Sequence, residues 1–156
     1  MFARGHPREV HPVSANVSSL SSHDRRSPGS VEETGVTRPD LSVVIPIYNE
    51  ADNIETLHER LSRTLTTMGR PYEIWYVDDG SGDASLGLLR DIARRDPQVG
   101  VIELTRNFGQ HAAVLAGFAA ARADIVVTLD GDLQNPPEEI PRLVAKIDEG
   151  YEVVGG

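Results

Sequence analysis

From Leu41 onward, short apolar runs alternate with stretches of helical periodicity. Leu41-Ser42-Val43-Val44-Ile45 is dense in β-branched residues and stops at Pro46. Four further runs have the same texture: Glu73-Ile74-Trp75-Tyr76-Val77, Val99-Gly100-Val101-Ile102-Glu103-Leu104, Asp124-Ile125-Val126-Val127-Thr128-Leu129 and Glu152-Val153-Val154. Such length and composition predict five strands, each covered by other structure.

The gaps between these runs read as helices. Ile54, Leu57, Leu61, Leu65 and Met68 share one face of the first, with Asn49 as its expected N-cap and Asp52 as the cap's partner three residues on. A second helix from about Asp83 carries Leu86, Leu89, Ile92 and Ala93. A third, from about Gly109, is rich in alanine, so its small side chains would let it lie close to a sheet. The fourth uses Ile140, Leu143, Val144 and Ile147; it should begin near Glu138, because Pro141 is tolerated only in a first turn, where a missing N–H costs least.

Strands alternating with helices define an α/β fold: a mostly parallel sheet with helices on both faces. Trp75 lies inside a predicted strand, and the usual burial of aromatics assigns it to the core. In sheets of this kind ligands bind beyond the carboxyl ends of the strands. Those ends are Pro46-Ile47-Tyr48-Asn49-Glu50, Asp78-Asp79-Gly80-Ser81, Arg106-Asn107-Phe108-Gly109 and Asp130-Gly131-Asp132-Leu133-Gln134-Asn135. Three of the four place carboxylates on one rim.

Before Leu41 the texture is different. Ser, Pro, His and Arg dominate, neither apolar period is present, and the segment cannot bury enough surface to offset its ordering entropy. Residues 1–39 are therefore expected to be a disordered tail, and residues 40–156 one domain. A chain of 156 residues has room for one domain with a real core and none for a second of ordinary size.

Charge narrows the chemistry. The formal net charge of −9 excludes a general nucleic-acid binder, which needs a basic face. The absence of cysteine excludes disulfide frameworks, thiolate metal sites and cysteine nucleophiles. No apolar run approaches the roughly 20 residues of a membrane-spanning helix, and the N-terminus lacks the apolar core of a signal peptide.

Clustered carboxylates raise one another's pKa unless a cation or hydrogen-bond donors compensate, so the rim is a candidate metal site. The plain alternative is helix capping, and for Asp83 capping is the better reading. Asp130 and Asp132, at i and i+2 on an extended segment entering a turn, can aim the same way. Oxygen-only ligands suit a hard cation, Mg²⁺ or Mn²⁺, that keeps waters and binds substrate phosphates. A calcium loop starting at Asp130 fails, because its sixth position is Asn135 and its twelfth Pro141. A dinucleotide fingerprint fails at Gly80-Ser81-Gly82-Asp83-Ala84-Ser85, which has serine for the third glycine and follows the second strand of the domain. A nucleotidyltransferase, a third reading, would want a Gly-rich basic loop where Pro46-Ile47-Tyr48-Asn49-Glu50 stands.

In combination, Val43-Val44-Ile45-Pro46-Ile47-Tyr48-Asn49-Glu50, Val77-Asp78-Asp79-Gly80-Ser81 and Leu129-Asp130-Gly131-Asp132-Leu133-Gln134 resemble family 2 glycosyltransferases of the Rossmann-like GT-A fold. Arg106-Asn107-Phe108-Gly109-Gln110-His111 and Asp132-Leu133-Gln134-Asn135-Pro136-Pro137-Glu138-Glu139-Ile140-Pro141 narrow the resemblance to the bacterial branch making polyprenyl-phosphate sugars, with dolichyl-phosphate mannose synthases as cousins. It covers about residues 40–156.

The resemblance implies a nucleotide-sugar donor, a UDP-sugar ahead of GDP-mannose, and a polyprenyl-phosphate acceptor at the cytoplasmic face of a membrane. It also implies transfer with inversion. By position, Pro46, Tyr48 and Glu50 would line the nucleoside pocket, with Glu50 near the ribose, and Asp78 and Asp79 would border the donor, Asp79 meeting the base. Asp130 and Asp132 would hold the metal, with Gln134 as a further ligand or a neighbour of one. Arg106, Asn107 and Gly109 form either a site-facing loop or a purely structural turn, and His111 reads as an ordinary helix-start residue.

Relatives of this branch continue well past the position of Gly156, with acceptor-side residues and hydrophobic membrane helices. The chain is accordingly expected to be a fragment that stops after the fifth strand, with a nearly complete donor pocket and no acceptor groove. Two functions follow as expectations: glycosyl transfer to a lipid phosphate, or donor binding without turnover.

Overall fold

A computed structural model describes residues 2–4 and 38–155. Four parallel strands, β2 (Leu41–Ile47), β3 (Tyr72–Asp78), β4 (Val99–Glu103) and β5 (Ile125–Thr128), lie in the order β5-β2-β3-β4. The strand β1 (Phe2–Arg4) pairs antiparallel with the outer edge of β5. It belongs to the segment expected to be disordered. An edge strand offers a row of unpaired N–H and C=O groups, which explains how so short a piece finds a partner. The rest of that expected tail, residues 5–37, lies outside the described residues.

The helices are α1 (Ala51–Met68), α2 (Ser85–Arg95), α3 (Gln110–Ala120) and α4 (Ile140–Asp148), the last preceded by a 3₁₀ turn at Pro137–Glu139. Pro141 falls in the first turn of α4, where the missing N–H was expected to do least harm. Because β2 is buried on both faces, its alternate residues feed two cores. Leu41, Val43, Ile45 and Ile47 pack with Ile54, Leu57, Leu61 and Leu65 of α1, Leu89 and Ile92 of α2, and Ile140, Leu143, Val144 and Ile147 of α4. Fully burying each such side chain contributes ~1.5–3 kcal/mol. On the other face Val44, Val77 and Ala113 form a smaller core under α3, with Trp75 partly buried against it.

The alanine-rich composition of α3 has the expected result: Gly117 rests on Val44. Trp75 packs against the smaller core from its strand, though only partly buried, and Gly100 on the neighbouring strand leaves space for its ring, since a Cβ there would lie 2.2 Å from Cζ3.

The fifth expected strand is absent. Residues 151–155 are irregular, with Tyr151 and Val153 exposed. Strand geometry needs a neighbouring strand to satisfy the backbone, and among the described residues none is offered to Glu152-Val153-Val154; Val154 only packs against the larger core. The parallel sheet therefore has four strands.

Chain order reverses beside β2. β3 and β4 build outward on one side of it, and the chain then crosses by α3 to lay β5 on the other side. The crevice beyond the carboxyl ends of β2 and β5 is thus the switch point at which α/β sheets bind ligands.

Candidate functional site

An open cleft of about 330 Å³ occupies this switch point, lined by Pro46, Ile47, Tyr48, Glu50, Asp79, Asn107, Gly109, Gln110, Asp130, Gly131 and Asp132. Eight residues singled out from the sequence, Pro46, Tyr48, Glu50, Asp79, Asn107, Gly109, Asp130 and Asp132, converge there. Three do not line it: Asp78 is buried beneath the rim, Arg106 lies over the Phe108 ring at 4.7 Å, and Gln134 meets Asp132 through its backbone. Ile47, Gln110 and Gly131 line the cleft although sequence reasoning gave them no site role. Gln110 directly follows the quoted Arg106–Gly109 segment and Gly131 separates the two aspartates, so position was the available clue.

The loop after β2, which lines the cleft, is interlocked with the loop after β3. After β2 the backbone turns through Asn49, which adopts a left-handed conformation (φ 56°). The Asn49 N–H donates to Ser81 Oγ (3.0 Å), and the Gly82 N–H donates back to Asn49 Oδ1 (2.8 Å). The Glu50 N–H donates to Ser85 Oγ (2.9 Å) and the Ala51 N–H to Asp83 Oδ2 (3.2 Å). The N–H of the N-cap residue Glu50 and the first N–H of α1 are thus satisfied by the first residue of α2 and the loop before it. This corrects the expected cap by Asn49 with Asp52: the turn that points Asn49 toward Gly82 carries its side chain away from α1. Asp83, expected to cap the second helix, serves the start of α1 instead: the N-cap position of α2 is Ala84, and the other Asp83 oxygen accepts the Ser85 N–H (2.9 Å). Hydrogen bonds from Ser85, and from the backbone N–H groups, hold its carboxyl below the ordinary aspartate value.

Asp79 fixes the third loop. It is 3% exposed, and its two oxygens accept the Phe108 and Gly109 N–H groups at 2.8 and 2.9 Å. Gly80 permits this approach, since a Cβ there would stand 2.5 Å from the Arg106 carbonyl carbon. Asp78 accepts the Ser81 N–H through Oδ2 (3.1 Å), while its buried Oδ1 has no partner. Asp78 therefore supports the loop from below.

The fourth loop carries the paired aspartates. Asp130 Oδ1 accepts from Gln110 Nε2 (2.7 Å) and Oδ2 from Asn135 Nδ2 (3.3 Å), while Asp132 Oδ1 accepts the Gln134 N–H (3.0 Å). Leu133 between them is left-handed (φ 62°), a rare conformation for leucine, and its side chain packs against the larger core.

The electrostatics of the rim differ from those of the surface. Elsewhere many carboxylates pair with arginine, as in Arg60–Glu138, Arg70–Asp148 and Arg142–Glu139, each at 2.7 Å. Among the described residues, none of Glu50, Asp78, Asp79, Asp130 and Asp132 has a Lys or Arg partner within 4.0 Å. Nor, among the described residues, do three His, Cys, Asp or Glu side chains come together as a metal site. Asp130 and Asp132 would supply two hard oxygen donors, leaving the remaining positions to water and ligand phosphates. That donor set fits Mg²⁺ or Mn²⁺.

Comparison with known proteins accords with this geometry. The family model "Glycosyl transferase family 2" matches residues 42–156. The undecaprenyl-phosphate 4-deoxy-4-formamido-L-arabinose transferases of Klebsiella pneumoniae subsp. pneumoniae and Edwardsiella ictaluri are each 53% identical to the chain over 116 residues, covering 74% of it. The chain spans about a third, 36%, of the length of those relatives. Among solved structures, a mannosyltransferase from Pyrobaculum calidifontis in complex with GDP-Man and Mn²⁺ is 27% identical with a TM-score of 0.59, over 71% of this chain and 32% of that one. Glucosyl-3-phosphoglycerate synthase from Mycobacterium tuberculosis is 28% identical with a TM-score of 0.57, over 72% and 41%. With the family's motifs gathered at one switch point and its model matching nearly all of the domain, this chain belongs to glycosyl transferase family 2, on a GT-A-like α/β sheet.

Proposed function

We propose that this chain forms the donor side of an inverting glycosyltransferase that moves a sugar from a nucleotide-sugar, a UDP-sugar ahead of GDP-mannose, to a polyprenyl phosphate. The observation that carries this reading is the rim of carboxylates without cationic partners at the switch point of the sheet. Such a rim is arranged for a cation bearing a diphosphate, and the curated relatives noted above are undecaprenyl-phosphate 4-deoxy-4-formamido-L-arabinose transferases.

In this reading Pro46, Tyr48 and Glu50 line the nucleoside end of the cleft, with Glu50 toward the ribose. Tyr48 is about half exposed (49%), which leaves its ring available to a base. Asp79 borders the same end; its two hydrogen bonds to the Phe108–Gly109 backbone give the wall formed by the third loop its shape. Asn107 and Gly109 form that wall, and Arg106, stacked on Phe108, sits outside it. Asp130 and Asp132 hold Mg²⁺ or Mn²⁺, with Gln134 beside them. The bound cation supplies charge stabilisation for the departing nucleoside diphosphate.

The acceptor is chemically undemanding. A phosphate monoester with a second pKa near 6 is largely ionised at neutral pH and scarcely needs a general base to become nucleophilic. Its attack on the side of the anomeric carbon opposite the leaving group inverts that centre. Among the described residues no helix is long and apolar enough to cross a membrane. The reading asks of this chain donor binding, with the acceptor presented at the cytoplasmic membrane face.

Calorimetric titration of the purified chain with UDP-glucose and GDP-mannose, with Mn²⁺ and with chelator, tests this. Metal-dependent binding that disappears in a chain carrying Asp130→Asn and Asp132→Asn is expected. No binding by wild-type chain shown to be folded would sink the reading. Binding without conversion of undecaprenyl phosphate would leave the narrower function, donor capture without turnover; conversion with retained anomeric configuration would refute inversion.

A further inference from the structure

The Asp130 carboxylate is gripped by two neutral amides. Gln110, the first residue of α3, reaches Oδ1 from across the cleft at 2.7 Å, and Asn135 reaches Oδ2 from the end of the aspartate loop at 3.3 Å. Gln110 is itself placed by the buried acid at the end of β3, because Asp79 anchors the backbone of the two residues immediately before it. A continuous set of contacts thus runs from Asp79, through Phe108 and Gly109, to Gln110 and Asp130.

We infer that Gln110 is a positioning residue for Asp130, fixing the carboxylate in the orientation that a divalent cation and a diphosphate require. The inference rests on the metal-and-donor reading of the cleft. The choice of an amide is physically informative. A guanidinium at 110 would pair with Asp130, as arginines pair with carboxylates at several places on the surface, and would compete with the cation for its charge. An amide donates one directed hydrogen bond and leaves the charge in place. An ionised carboxylate has about four lone-pair sites, so each Asp130 oxygen keeps acceptor capacity after both amides are bound.

The geometry also couples two parts of the site. Gln110 lines the cleft between Gly109, on the nucleoside side, and Asp130, on the cation side. Whatever shifts the Asp79-anchored loop therefore shifts the donor that holds Asp130.

Gln110 is exposed at the start of a helix, so Gln110→Met keeps the side-chain length and removes the donor with little consequence for folding. Mn²⁺ affinity of the 156-residue chain is read by electron paramagnetic resonance in the presence of UDP, for wild type and Gln110→Met, alongside thermal midpoints. Loss of an outer partner of a metal ligand weakens affinity by ~10–100-fold, and a loss of that order with an unchanged midpoint is expected. Asn135→Ala, whose contact is longer, should lose less. Equal affinity in wild type and Gln110→Met overturns this inference and leaves the metal reading intact. No Mn²⁺ uptake by folded wild-type chain overturns both.

Discussion

Gly117 of α3 and Val44 of β2 meet with no room between them: a Cβ on Gly117 would stand 2.2 Å from Val44 Cγ1 and 3.1 Å from Cγ2. The helix that crosses from β4 to β5 is held against the sheet by the absence of a side chain, and this close seating sets the height at which its first turn, with Gln110, meets the cleft.

Gly117→Ala therefore tests the seating of α3. Alanine gains up to ~1 kcal/mol in helix propensity, while overpacking a close contact costs ~1–3 kcal/mol, so net destabilisation is expected. Urea unfolding measures it; a variant as stable as wild type would show that α3 can shift freely. Because α3 carries Gln110, Mn²⁺ affinity should fall in parallel.

Asp79→Asn addresses the loop that forms the cleft wall. An amide offers one acceptor oxygen where the carboxylate offered two, so either the Phe108 or the Gly109 N–H loses its bond to residue 79, Gly109 keeping only its second acceptor, Asn107 Oδ1 (3.0 Å). Hydrogen bonds to charged groups contribute ~1.5–3 kcal/mol each. The expected signature is faster hydrogen exchange at Phe108 and Gly109, with the strands unchanged. Unaltered exchange at both amides would contradict the anchoring role.

His58 gives the fold a pH dependence above the carboxylate range. It is buried on α1, with Nδ1 3.3 Å from Tyr76 Oη and Nε2 3.6 Å from Asp96. Desolvation lowers its pKa, and the opposing attraction of Asp96 does not cancel this. The unfolded chain then takes up a proton near the ordinary histidine value of ~6.5 before the folded chain does. This contribution to stability is full above that pH and is lost as pH falls below it toward the folded pKa. Denaturation midpoints at pH 7.5, 6.5 and 5.5 should decline for wild type and decline less for His58→Gln; parallel curves would assign the dependence elsewhere.

Glu73 acts in a lower window. It is 4% exposed, accepting from Ser42 Oγ (2.7 Å), the Arg122 N–H (2.7 Å) and Arg122 Nε (2.8 Å). Burial pushes its carboxyl up, but the bonds from Ser42 and Arg122 together outweigh burial and leave it below its ordinary value. Glu73→Gln should cost ~1.5–3 kcal/mol at neutral pH. The deficit should shrink as pH drops through the folded pKa, below the ordinary value of 4.5, where wild type also loses its charge. A deficit constant down to strongly acid pH would mean that shape rather than charge is responsible.

Much of this molecule was legible because its information is local. Val43, Val44 and Ile45 announce a strand covered on both faces, and Ile54, Leu57, Leu61 and Leu65 announce a helix face, since each pattern follows from the geometry of one segment. The rim was legible for the same reason: strand ends locate the ligand edge of a parallel sheet, and the residues there can be read directly. Glu152-Val153-Val154 shows the limit, because a strand also requires a partner, and composition cannot supply one.

The sequence by itself determined the alternation of elements, the ligand edge and the acidic character of the rim, all of which depend on near neighbours in the chain. Only the tertiary structure decided which carboxylates face the cleft and which support it. Asp78 and Asp79 are adjacent, yet successive residues at a strand end point oppositely, so one is buried under the rim and the other anchors a loop 29 and 30 residues away. The caps of α1 come from Ser85 and Asp83, and the hold on Asp130 comes from Gln110, because a hydrogen bond is satisfied by whichever donor or acceptor the packed chain brings within about 3 Å, whatever its distance along the sequence.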